Sequence, residues 1–185
     1  MEKREETLGD DFETLELYSI NALIDAEDDD SPILKMLEYW LELRQGKAVA
    51  PRVESLQMAR LWQMKIPHRV TITDCSQDDP RNFRILHHAD DVRGESGILG
   101  IRLSGHVFSS LPNKLHTNGV QRDYADAKIC QDPATLFYHR INQRLNRRER
   151  TYARLLLPFT GTGGRVTMLV AVVRSLQHPR IVEAA

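Results

Sequence analysis

Two adjacent histidines, His87 and His88, in the run Leu86 to Asp90 (LHHAD), are the residues of this 185-residue chain best suited to touch a ligand. An imidazole nitrogen binds metals and haem iron and titrates near neutrality. On a strand, however, successive side chains point to opposite faces, so this pair cannot share one metal ion, and only one of the two can border a cavity. His106, His116 and His139 have no second ligand at metal-binding spacing. The other chemical feature is a basic run, Arg140, Arg144, Arg147, Arg148, Arg150 and Arg154, densest at Arg144, Arg147 and Arg148. Phosphate backbones bind such clusters through charge and bidentate hydrogen bonds, with Tyr138 and Tyr152 close enough to stack. Arginines at a strand connection also keep an edge soluble, so a solvated hairpin ranks first. An acidic protein surface or the chain's own acidic leader ranks second, and nucleic acid last.

Other candidates dissolve on inspection of their spacing. Gly161 to Gly164 (GTGG) lacks the Gly-Lys-Ser/Thr step and the following helix of a phosphate loop, and reads as a turn. Ser96 and Ser104 each adjoin a glycine, but neither lies in a G-x-S-x-G elbow. Asp74, Asp78, Asp79, Asp90 and Asp91 lack calcium-loop spacing. Cys75 and Cys130 form neither a CxxC pair nor a disulfide framework. No catalytic residue and no metal site is assigned. No cofactor is required, and haem or flavin is disfavoured.

These residues need a scaffold, and the composition supplies the means for one. With 41% apolar residues, the chain has enough for one buried core and is short for two. No run approaches a membrane span, and the first residues (MEKREETLGDD) lack a signal peptide's apolar centre, so a cytoplasmic location is expected. The net charge of −1 hides an asymmetry. Residues 1–31 hold twelve carboxylates against Lys3 and Arg4, a balance of −10, and residues 32–185 carry +9. The leader reads as an acidic, partly disordered extension that stays solvated, with an amphipathic helix over 12–24.

The clearest elements lie in the last third. Arg150 to Phe159 and Arg165 to Arg174 flank the glycine turn as an apolar hairpin, suited to the centre of a sheet. Arg69 to Cys75 and Asn82 to His88 predict two more strands, and Ala134 to Asn142 a fifth. Ser31 as cap, Pro32 at the first helical position and the stripe Ile33, Leu34, Leu37, Trp40 and Leu41 predict a helix from 32 to 44 or 45, stopped by Gly46. A shorter helix is expected over 55–64. The glycine-rich middle, 89–124, predicts short helices and loops. The fold class is therefore α+β, with five antiparallel strands and helices collected on one face.

That order resembles the PAS domain. Tyr39, Trp40, Leu43, Arg44, Gly46, Pro51 and Arg52 are similar to the opening pattern of small bacterial single-domain PAS proteins. Leu103, Ser104 and Gly105 are similar to their mid-domain Leu-Thr-Gly step, and Tyr152 to Pro158 to their closing strand. Leu86 to Asp90 departs from the arginine and Gly-Thr step of that group. The resemblance spans about residues 33–174 of a domain set at 32–180. It implies a five-stranded PAS-like sheet, a small-molecule cavity between helices and sheet, and a homodimer formed through the N-terminal helix. Leu34, Leu37, Trp40 and Leu41 are the candidate interface, with the domain's own core as the competing place for Trp40. The function it implies is a non-enzymatic sensory or adaptor domain that signals to a partner protein. The alternative is a small-molecule or cofactor-binding protein, or a small enzyme, using the same cavity.

Overall fold

The computed structural model describes residues 2–89, 99, 101–132, 136–176 and 180–181. Its centre is the apolar hairpin. Strand β6 (Arg148–Thr160) pairs with β7 (Val166–Ser175) in the register Leu157↔Val170. From Tyr152 to Thr160 every residue of β6 is buried, which requires cover on both faces. The turn between them places Gly163 and Gly164 at φ 81° and 74°, a region that side-chain-bearing residues rarely adopt. Strand β3 (Val70–Asp74) adds to β7, β4 (Arg84–His87) to β3, and β5 (Phe137–Leu145) to β6, all antiparallel.

The leader extends this sheet. Strands β1 (Glu2–Leu8) and β2 (Asp11–Tyr18) form a hairpin around Gly9, and β2 pairs with β5. The order is β1-β2-β5-β6-β7-β3-β4, with a short β8 (Arg180–Ile181) against the start of β6. The five-stranded PAS-like sheet with helices on one face is thus corrected to a seven-stranded antiparallel path with helices on both faces. A solvated leader with a helix over 12–24 is likewise replaced by strands, and the helix α1 spans only Ile20–Ala26, capped by Ser19. The physical reason is a two-residue period: Glu13 and Leu15 are buried on one face of β2, while β1 is an edge strand on which charges are tolerated.

On one face lie α1, α2 (Pro32–Arg44) and α3 (Met58–Gln63). The Ser31 hydroxyl accepts from Ile33 N at 3.1 Å, and α2 ends where Gln45 turns left-handed. Ile33, Met36, Leu37, Tyr39 and Trp40 pack on Val70, Ile72, Leu155, Leu157, Phe159, Met168, Val170 and Val172. Trp40 is fully buried and its indole Nε1 donates to Pro158 O at 2.8 Å. Of the four interface candidates, Trp40 and Leu37 therefore lie in the chain's own core, Leu34 is half-buried and Leu41 is exposed.

The opposite face carries α4 (Lys114–Ile129), a 16-residue helix where short pieces were predicted. Asn113 caps it, accepting from His116 N at 3.0 Å. Leu115, Val120, Tyr124 and Ala127 meet Phe83, Ile85, Phe108, Leu156, Leu169 and Ala171. Asp90, Asp91, Gly94, Ser96, Gly97 and Gly100 lie outside the described residues. No helix among the described residues is long and apolar enough to cross a membrane.

Candidate functional site

Two places gather polar groups. The first is a buried ionic network between α4 and the leader's end of the sheet. Strand alternation brings His139 and Gln143 of β5, Arg150 and Arg154 of β6, Glu13 of β2 and Arg4 of β1 to the face that α4 covers. From α4 comes Asp123, only 3% exposed. Arg154 donates to Asp123 Oδ2 through Nη2, and the same nitrogen lies 2.8 Å from His139 Nδ1. Arg4 Nη1 donates to Asp123 Oδ1 at 3.0 Å. A guanidinium can only donate, so His139 Nδ1 is the acceptor and the ring proton sits on Nε2. The approach of His139 to Asp123 at 3.9 Å is therefore no salt bridge. Burial, with Arg154 beside it, pushes the His139 pKa down to about 3, in keeping with a neutral ring.

The two carboxylates of this network behave oppositely. Burial disfavours charge on Asp123, but the guanidiniums of Arg154 and Arg4 outweigh it and hold the pKa below the ordinary value. Burial raises Glu13 to about 6, with the negative charges of Asp123 and Glu6 adding to it. With the Gln143 amide oriented to satisfy its neighbours, its nitrogen donates to Glu13 Oε2 at 2.9 Å and its oxygen accepts from Arg150 Nη2 at 2.7 Å. Asp123 has both oxygens engaged by cations, so it serves as a clamp and not as a base. His116, also buried, has no partner for Nδ1 among the described residues, and burial takes its pKa down to about 3. Cys75 is buried too, its thiol pushed up to about 12, so it is no ready nucleophile.

The second place is a half-open cleft of about 430 Å³ at the far end of the central hairpin. Its walls are Leu43, Arg44, Gln45 and Lys47 at the end of α2, Val49 to Arg52 and Ser55 in the following link, and Thr160, Gly161, Gly163 and Gly164 at the β6–β7 turn. Backbone pairing fixes these walls. Thr160 N donates to Pro51 O at 2.8 Å, and the Thr160 hydroxyl reaches Ala50 O and Pro51 O at 3.2 Å each. Tyr39 OH donates to Ser55 O at 3.3 Å and accepts from Gln57 N at 3.1 Å.

The predicted ligand residues lie elsewhere. His87 ends β4 and its Nε2 is 3.1 Å from Pro67 O. His88 follows the strand, half-buried, with contacts of its own. The basic run is split by the pleat: Arg140 and Arg144 point to one face, Arg150 and Arg154 to the other. Arg144 bonds to Glu149 and lies over the Phe12 ring, while Arg147 sits in the tight β5–β6 turn at φ 63°. No protein-family model, curated protein or solved structure matches the chain. The parts of the cleft come from positions 43–55 and 160–164, far apart in the chain; in the sequence Leu43, Arg44, Gly46, Pro51 and Arg52 carry only the resemblance to the PAS opening pattern and Gly161 to Gly164 only a turn, so neither stretch marks a site by itself.

Proposed function

We propose that the chain is a non-enzymatic sensory domain that takes a small molecule in the cleft and reports its presence to a partner protein through the layer of α1, α2 and α3. The observation that carries this reading is the cleft's position across a seam. One wall is the end of α2, and the other is the tip of the central hairpin. A ligand alters an equilibrium only by binding two arrangements unequally, and one that touches both layers can do so whenever α2 shifts on the sheet. The volume lies within the range of small-molecule sites.

Hydrogen exchange measured with and without compounds that raise the melting temperature tests the reading. Protection is expected at 43–55 and 160–164 together with altered exchange along 32–44. Cleft-binding compounds that leave 32–44 unchanged would refute a sensory role and leave simple binding. The reading of a small enzyme requires turnover of a bound compound, detectable by mass spectrometry of the recovered ligand.

A further inference from the structure

We infer that this cleft is a site for a small organic anion, a carboxylate or phosphate monoester with a short apolar body; the inference rests on the cleft being the ligand site proposed above. Three cations line it, Arg44, Lys47 and Arg52, and no carboxylate is among the described lining residues. Arg52 is partly neutralised by Glu54 at 3.2 Å. The other two are not paired in this way. Arg44 donates only its Nε, to Val49 O at 3.3 Å, and its guanidinium lies 5.4 Å from the centre of the Trp40 ring. Those contacts hold the group in place and leave its two terminal nitrogens without an acceptor among the described residues. Lys47 Nζ has no ion pair among the described residues.

A basic residue at a helix C-terminus also complements the helix dipole. The dipole places about half a negative charge at the end of α2. Arg44, in the last turn, offsets it alone, so Lys47 and Arg52 add to the positive side. A fork of terminal guanidinium nitrogens matches the paired oxygens of either a carboxylate or a phosphate. Beside Gln45, Ser55 and Thr160, the wall has an apolar stretch of Leu43, Val49, Ala50 and Pro51, which favours a ligand with a hydrocarbon part over a bare inorganic ion. The bonds from Thr160 N to Pro51 O and from the Thr160 hydroxyl to Ala50 O and Pro51 O set these walls before any ligand arrives, which limits the ordering that binding must impose.

Calorimetric titration of the full chain with hexanoate, hexyl phosphate, hexanamide and inorganic phosphate decides the matter. One or both hexyl anions should bind, and which of them binds more tightly identifies the head group. Hexanamide and inorganic phosphate should bind at least about tenfold more weakly, each tenfold being one step of affinity. Arg44→Gln and Lys47→Glu should each weaken the anion about tenfold or more, and Arg52→Gln less. Lys47 is exposed, so its variant tests charge even if the Arg44 variant folds poorly. Failure of both hexyl anions to bind, hexanamide binding as tightly as they do, or indifference to both substitutions overturns the anion site. A neutral compound protecting 43–55 would then leave the sensory reading standing. Anion binding without altered exchange at 32–44 would keep the anion site and remove the sensory reading.

Discussion

Glu13 and Asp123 share one network and are shifted in opposite directions, so they pull stability opposite ways with pH. Burial raises the folded pKa of Glu13 to about 6 against 4.5 for an ordinary glutamate carboxyl, so between those values the fold binds a proton that the unfolded chain has released. Its contribution is best below about pH 4.5 and is lost as pH rises through 6. Glu13→Gln removes that loss. At pH 7.5 the variant should be more stable by about 2 kcal/mol, from roughly 1.4 kcal/mol per pKa step, and the advantage should vanish near pH 4 in urea titrations. Asp123 has a lowered pKa, so its stabilisation is present above the ordinary carboxylate range and disappears as pH falls through the folded value. Asp123→Asn leaves Arg154 buried with its main counter-charge gone and should cost about 3–5 kcal/mol, whereas Asp123→Leu with Arg154→Met should recover most of it, by the same denaturation assay. None of these pairings was legible in the sequence. His139 and Arg154 are fifteen residues apart and Arg4 is 119 from Asp123, so only the strand register brings them together.

The elements were easier to read where their signals were local. Ser31, Pro32 and the stripe through Trp40 marked α2 from its cap to its end, and glycines marked the β6–β7 turn. Where an element answers to distant residues, local signals misled. Gly119 breaks the pattern of α4, yet a Cβ there would stand 2.6 Å from Glu13 Oε1, so the helix keeps glycine to let the buried carboxylate fit. Gly119→Ala gains about 1 kcal/mol in helix propensity but displaces a side chain bonded to Gln143, and a net loss of about 1 kcal/mol is expected. In a Glu13→Ala background the same change should be stabilising, which a double-mutant cycle would show. Trp40 makes the matching case on the other face. Trp40→Phe removes the bond to Pro158 O and should cost about 1–2 kcal/mol, and Trp40→Ala about 3–5 kcal/mol. Because the ring is enclosed by its own chain, light scattering should give Trp40→Phe the same mass as the parent.

At the scale of the whole molecule, the opposition of an acidic leader and a basic body becomes a means of closure. Asp11 accepts from Asn146 N at 2.9 Å and from Asn113 Nδ2 at 2.6 Å, tying the leader to the β5–β6 turn and to the cap of α4. Glu27 accepts from Tyr138 OH at 2.8 Å and pairs with Arg174 at 2.8 Å on the opposite face. Composition alone placed such a charge run in solvent, because a count of charges does not reveal which side chains share a face. Strand β1 has no buried side chain, so it is held by its ladder to β2 and by the pairs Arg4–Asp123 and Arg122–Glu6. Removing residues 2–10 should therefore leave the seam of α2 and β6–β7 intact while lowering the urea midpoint. The newly bared edge of β2 carries Leu15 and Leu17 toward α4 and a row of unpaired backbone groups toward solvent, an edge that pairs readily with another chain. The truncated chain should show a mass that rises with concentration in light scattering, and adding a peptide of residues 2–10 should reverse it. A monodisperse truncated chain of unchanged midpoint would mean that β1 neither guards that edge nor secures Asp123.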